Sequence, residues 1–132
     1  MEIADYIVAE DRELVDRVLK GDNDAFEYLF NRYRDAIHRL FVQRLGGVND
    51  ADDLLQETFI KVYINLQQRS QIEHYLEHLA PRYRQLILMR FFEEYSYEEI
   101  AAKLSLPLGT VKTQIHRARE QMCRLIAQGD ER

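Results

Sequence analysis

Three groups of side chains in this sequence have types and spacings that could do chemistry. The first is Lys112, Thr113, His116, Arg117 and Arg119, hydrogen-bond donors crowded into one basic stretch behind Gly109 and Thr110. Such donors suit phosphate oxygens and base edges. The second is Asp52, Asp53, Gln56, Glu57 and Lys61, polar side chains spaced to share a largely outward helix face. The third is His74, Glu77 and His78, which spell H-x-x-E-H, a pattern in which two histidines one helical turn apart hold zinc and a glutamate acts as base. A catalytic zinc also needs a third protein ligand, second-shell support and a cleft that excludes water. In a chain this short the rest of the sequence is taken up by the basic stretch and its supports, so surface histidines suffice as the explanation. No glycine-rich phosphate loop, nucleophile elbow or cysteine cluster accompanies them, and neither an enzyme, a metal nor a cofactor is expected.

The basic stretch lies in SYEEIAAKLSLPLGTVKTQIHRAREQMCRLI, Ser96 to Ile126. Ser96 and Glu99 stand at the spacing of a capping box, and Ile100, Ala101 and Leu104 form the apolar stripe of the helix it opens. Ser105, Leu106 and Pro107 interrupt the pattern, and proline is tolerated in the first turn of the next helix, which is expected to begin near Pro107 or Leu108. Val111, Ile115, Ala118 and Met122 then recur at helical steps and share a buried face. Gly109, Thr113, His116, Arg117 and Glu120 fall opposite, with Lys112 on the flank. This is the arrangement of a recognition helix entering a major groove while the preceding helix crosses the backbone. Thr113, His116 and Arg117 are the expected base contacts. Gly109 and Thr110 leave room for a phosphate at the helix start, and Lys112, Arg119 and Arg124 suit the DNA backbone. An αα-hairpin with a solvated basic face would share parts of the pattern, but the cap, the short turn, the small residues and the basic face all coincide.

With these residues in place, GTVKTQIHRAREQM after SYEEIAAKLSLPL resembles the C-terminal DNA-binding domain of bacterial sigma factors, in particular the extracytoplasmic-function (ECF) type. The resemblance runs from about Leu79 to Leu125 and implies a helix-turn-helix that reads the −35 promoter element.

Composition is compatible with this. A chain of 132 residues, 46% hydrophobic and 31% charged, is enough for one ordinary domain or two small helical ones and excludes a disordered tail. The net charge of −5 does not exclude DNA, because the local field of the presented face decides. A single cysteine, Cys123, has no internal disulfide partner and reads as an inert residue on a helix flank rather than a redox sensor. No signal peptide or membrane-spanning run is legible, so the cytoplasm is the expected compartment.

Upstream, residues 1–10 read as a loose leader or the start of a helix. DRELVDRVLK, Asp11 to Lys20, places Leu14, Val15, Val18 and Leu19 on one face and stops at Gly21. Asp22 or Asn23 is expected to cap a long helix to Leu45, whose Phe26, Leu29, Phe30, Tyr33, Ile37, Leu40, Phe41 and Leu45 keep apolar spacing throughout. These aromatics read as core. After Gly46 and Gly47, a third helix runs from Asn49 or Asp50 to about Leu66, with Leu54, Leu55, Thr58, Phe59, Val62 and Leu66 inward and Asp52, Asp53, Gln56, Glu57 and Lys61 largely outward. Acids in a first turn are partly explained by the helix dipole. GDNDAFEYLFNRYRDAIHRLF followed by DADDLLQETFIKVY also resembles the N-terminal ECF sigma domain. That resemblance implies that Asp53, Gln56 and Glu57, which match a D-L-x-Q-E pattern, contact the β′ clamp helices of RNA polymerase.

The pattern departs from the family directly afterwards. Members continue into a segment with a tryptophan and an arginine- and asparagine-rich helix that melts and reads the −10 element, and then into a flexible linker. Here Leu66 is followed by Gln67, Gln68, Arg69, Ser70 and Gln71 before helical pattern resumes at Ile72, and the chain has no tryptophan. From there Ile72, Tyr75, Leu76 and Leu79 form one apolar face, and Pro81 starts a helix carrying Leu86, Ile87, Met89, Arg90 and Phe91. By resemblance these helices brace the reader and lie near the polymerase β flap.

The expected fold is all-α with two small helical lobes: residues 1–67, a short linker at 68–71, and a helix-turn-helix lobe at 72–132. The expected function is that of an ECF-type sigma factor that binds polymerase core and directs initiation at a −35 element, with an anti-sigma factor as a further partner. A sigma-like decoy that sequesters an anti-sigma factor is the alternative. A helix-turn-helix repressor ranks third, since it leaves Asp53, Gln56 and Glu57 unexplained.

Overall fold

Residues 2–67 and 69–128 are described in the computed structural model, and all regular structure among them is helical. The N-terminal helices are α1 (Ile3–Val8), α2 (Asp11–Leu19), α3 (Asn23–Leu45) and α4 (Val48–Leu66). The Asp22 carboxylate caps α3 by accepting from the Ala25 amide at 3.2 Å, and Gly46 closes it at φ 74°, a left-handed conformation that glycine adopts without a Cβ penalty. The leader forms a helix of its own, α1. It is ordered by tertiary contact: the Tyr6 ring stacks on Tyr28 with centroids 5.0 Å apart.

Phe26, Phe30, Phe59 and Tyr63 knit α3 to α4, with Phe26 4.9 Å and Phe30 5.1 Å from the Phe59 ring. The apolar stripe of α3 is buried only as far as Phe30. Beyond it Ile37 and Phe41 pack only partly buried against the core, His38 meets Asp52 of α4, and Tyr33 and Leu40 are each 47% exposed. On α4 Leu55 and Phe59 are buried as expected, whereas Val62 is 36% exposed and Ile60 and Tyr63 are buried instead.

The C-terminal helices are α5 (Arg69–Glu77), α6 (Pro81–Ile87), which runs into a π-helical turn over Leu88–Phe92, α7 (Tyr97–Leu104) and α8 (Leu108–Gln128). Residues 69–71, expected in a linker, belong to α5, so only Gln67 and Gln68 separate it from α4. Leu86, Met89, Ile100, Val111 and Ile115 form a cluster of C-terminal residues alone. The larger core unites Leu14, Phe26, Phe59 and Tyr63 with Ile72, Tyr75, Leu76, Ile87, Ala118, Met122 and Ile126. Helix α8 thus carries two jobs at once: its N-terminal half completes the small cluster and its C-terminal half enters the shared core.

Candidate nucleic-acid interface

Helix α7 starts as its residues dictate. The Ser96 hydroxyl accepts from the Glu99 amide at 3.1 Å, and the Glu99 carboxylate accepts from the Ser96 amide at 3.0 Å. The turn that follows places Ser105 at φ 55°, a left-handed conformation uncommon for a residue with a Cβ, and Leu106 returns its amide to the Ala101 carbonyl at 3.0 Å. Val111 then donates to the Pro107 carbonyl at 3.1 Å, which begins α8. Val111, Ile115, Ala118 and Met122 are buried, and Ile126 extends their face.

Gly109, Lys112, Thr113, His116 and Arg117 are exposed on the other side of α8, and Thr110 is partly so. A Cβ built on Gly109 would meet nothing within 4 Å, so the space beside the first turn is open to a ligand. The Thr113 hydroxyl donates to the Gly109 carbonyl at 3.0 Å, leaving its lone pairs for an outside donor. His116 lies between two carboxylates, 2.9 Å from Glu120 and 3.6 Å from Asp53 of α4.

Arg119 is placed differently from the expectation. It is 3% exposed and turned away from the surface shared by Lys112 and Arg117. Its Nε donates to Gln56 Oε1 at 3.1 Å and a terminal nitrogen donates to the Tyr97 hydroxyl at 2.8 Å. Asp53 stands 3.4 Å and Glu57 3.7 Å from its terminal nitrogens. Glu57, expected outward, is 6% exposed, and the Arg90 Nε donates to it at 2.5 Å. The reason is electrostatic: a carboxylate and a guanidinium lose water together only when each is paired and hydrogen-bonded, and here two arginines and two acids satisfy one another. The structure therefore brings Asp53, Gln56 and Glu57 together with Arg119 and His116, and leaves Gly109, Thr110, Lys112, Thr113 and Arg117 apart from them.

Two members of this network escape a motif-based reading. Arg90 also donates to the Tyr95 carbonyl at 3.0 Å and lies over the Tyr97 ring at 4.8 Å. Tyr97 is half-buried, and burial pushes its phenol above the ordinary range, with Arg119 pulling the other way. An arginine inside the otherwise apolar run LILMRFF is the sequence signal that something buried and acidic faces it.

His74 and His78 meet edge to face with ring centroids 4.8 Å apart, and the described residues contain no group of three metal-ligating side chains. No helix among the described residues is long and apolar enough to cross a membrane. Cys123 lines a groove between α3, α4 and α8; burial pushes its thiol up to about 12 despite the nearby Arg119 and Arg34.

Two family profiles match this chain: Sigma-70, region 4 over residues 69–122 and Sigma-70 region 2 over residues 29–91. The chain belongs to the ECF branch of the sigma-70 family. The sigma-factor reading accounts for both the helix-turn-helix and the acidic α4, which no single-motif reading does. Among its relatives, the ECF RNA polymerase sigma factor SigW of Bacillus subtilis is 25% identical over 175 residues, covering 84% of this chain and 94% of that protein. The RNA polymerase sigma-H factor of Pseudomonas aeruginosa is 26% identical, with 84% and 91% covered. BldN of Streptomyces coelicolor is 41% identical over 58 residues, 44% of this chain and 22% of that one. The structure of the RsbN–BldN complex aligns with a TM-score of 0.40 at 25% identity, covering 83% of this chain and 97% of that chain. The SigW alignment, at 175 residues, is longer than the 132-residue chain itself, so a stretch of the relative has no counterpart in this sigma factor.

Proposed function

We propose that this sigma factor brings core RNA polymerase to promoters by reading a −35-type element with α8 and by docking α4 on the β′ clamp helices. The observation that carries this reading is the pairing, in one chain, of a capped helix-turn-helix with exposed Lys112, Thr113, His116 and Arg117 and a separate helix that carries Asp53 exposed, Gln56 partly exposed and Glu57 buried. Thr113, His116 and Arg117 read base edges; Lys112, and the first turn at Gly109 and Thr110, hold phosphates. Helices α5 and α6 lie beside the β flap, and an anti-sigma factor in the cytoplasm competes for the same faces. Tethering the reader to polymerase raises the local concentration of enzyme at chosen sites, so two weak contacts act together.

Arg117→Ala and Lys112→Ala test the DNA half, with core polymerase present and promoter duplexes followed by fluorescence anisotropy. Arg117→Ala lowers discrimination at one position by about 1–3 kcal/mol, whereas Lys112→Ala weakens all duplexes alike and flattens the salt dependence. Unchanged binding by both variants contradicts the assignment of α8 as the reader.

A further inference from the structure

His74 and His78, the histidines of the H-x-x-E-H run, stand one helical turn apart at the end of α5, and both are exposed. Between them Tyr75 and Leu76 turn into the shared core with Ile72, so the imidazoles sit on the outer face of a helix whose inner face is fixed. The His78 amide donates to the Tyr75 carbonyl at 3.0 Å, which carries the turn past Glu77. The His78 Nδ1 lies 2.8 Å from the His74 carbonyl oxygen. A carbonyl only accepts, so Nδ1 carries the proton and, in the neutral ring, Nε2 keeps its lone pair.

We infer that His74 and His78 form a two-histidine site for a divalent late first-row cation, copper(II) or zinc(II), bound through both imidazoles with water completing the coordination. Imidazole suits this class of ion, and the order of affinities places copper(II) above zinc(II). Zinc bonds imidazole nitrogen at about 2.0–2.1 Å, so two such ligands at a tetrahedral angle stand roughly 3.3 Å apart. Rings with centroids 4.8 Å apart reach that separation by side-chain rotation. The hydrogen bond from His78 Nδ1 to a backbone carbonyl is the outer contact that fixes a metal-binding tautomer before the ion arrives. The chain's other two histidines already face carboxylates, His38 at 2.6 Å from Asp52 and His116 at 2.9 Å from Glu120. Glu77, exposed three residues after His74, adds negative charge beside the pair. With two protein ligands the ion acts as a clip: it ties the last turn of α5 to the turn that leads into α6. Because α5 places Ile72, Tyr75 and Leu76 in the core shared by both groups of helices, an ion held only by the folded geometry stabilises the whole chain.

Copper(II) titration of the full-length chain, followed by electron paramagnetic resonance, tests the site in the parent, His74→Ala, His78→Ala and His38→Ala. Each variant is first checked for helicity by circular dichroism. The parent is expected to show coupling to two imidazole nitrogens. His74→Ala and His78→Ala are each expected to weaken binding at least about tenfold, and His38→Ala to leave it unchanged. Zinc(II) is expected to raise the thermal midpoint of the parent and of His38→Ala, and to leave the midpoints of the other two variants where they were. Parental copper affinity in both α5 variants overturns the site. A loss confined to one of them overturns the pairing, and an equal loss in His38→Ala shows binding by scattered surface histidines and overturns it too. A zinc shift of the same size in all four chains contradicts the clip. Should an alanine variant lose helicity, His74→Gln and His78→Gln, which keep a polar side chain without the imidazole, decide by the same criteria.

Discussion

Asn23 Nδ2 donates to the Tyr75 hydroxyl at 2.5 Å, joining two residues 52 positions apart in the buried seam between α3 and α5. The same amide donates to the Ile126 carbonyl of α8 at 3.3 Å, and its oxygen accepts from the Tyr63 hydroxyl of α4 at 2.9 Å. The first residue of one helix thus ties three others together inside the shared core. Asn23→Ala strands two hydroxyls and a carbonyl there and is expected to lower the unfolding free energy by about 2–3 kcal/mol. Urea unfolding checks it, as a lower midpoint at unchanged slope; a loss below about 0.5 kcal/mol would show that the amide bridges nothing of consequence.

Gly109 separates folding from binding. Its surroundings are open and its backbone is helical, so Gly109→Ala leaves stability unchanged or raises it by up to about 1 kcal/mol. The methyl group occupies the space assigned to a phosphate, and DNA affinity falls. Thermal unfolding and duplex anisotropy on the same sample measure both, and an Ala variant that binds DNA like the parent removes the phosphate from the first turn of α8.

Asp22 carries an acid-side pH dependence. Burial alone would raise its carboxyl, but the Tyr6 hydroxyl at 2.7 Å, the Arg17 guanidinium at 2.8 Å and the Ala25 amide outweigh it and hold the group below its ordinary range. A carboxyl depressed in the folded state contributes stability that is complete above its unfolded value, about 3.9, and lost as pH falls toward the folded one. Asp22→Asn keeps the cap and removes the charge. It is expected to be about 1–2 kcal/mol less stable at pH 7, with the gap closing below about pH 4. A gap that stays constant into acid would exclude the ion pair as its source.

Cys123 is held as a neutral thiol by burial in the groove beside α4. At pH 8 its alkylation by iodoacetamide is expected to be more than about 100-fold slower in the native chain than in urea, since the thiolate is the reactive form. Equal rates in both conditions would place the thiol in water.

Most helices were legible because their signals are local: the Ser96 and Glu99 capping box, Asp22 and Gly46 bounding α3, Pro81 and Pro107 opening α6 and α8. What was not legible depends on residues distant in sequence. Helix α1 is too short for periodicity and exists through Tyr6 packing on Tyr28. The far half of α3 keeps an apolar stripe, yet Tyr33 and Leu40 stay half exposed because pattern alone does not say which neighbour covers them. Arg119 follows buried Ala118 and so sits at the edge of the apolar face, where periodicity assigns neither side. Only α4, some sixty positions earlier, decides that it turns inward, and the same contact hides Glu57. Gly109, Lys112, Thr113, His116 and Arg117 are exposed where the helical period puts them.

The central claim is that this chain gives core polymerase a DNA preference that neither has alone. Selection from a random-sequence duplex pool, carried out with core polymerase, with the chain, and with both together, measures it directly. The account predicts that the mixture enriches one short asymmetric motif and that Arg117→Ala in the mixture degrades it. Enrichment of no motif by the mixture, or of a palindrome by the chain without polymerase, would contradict it.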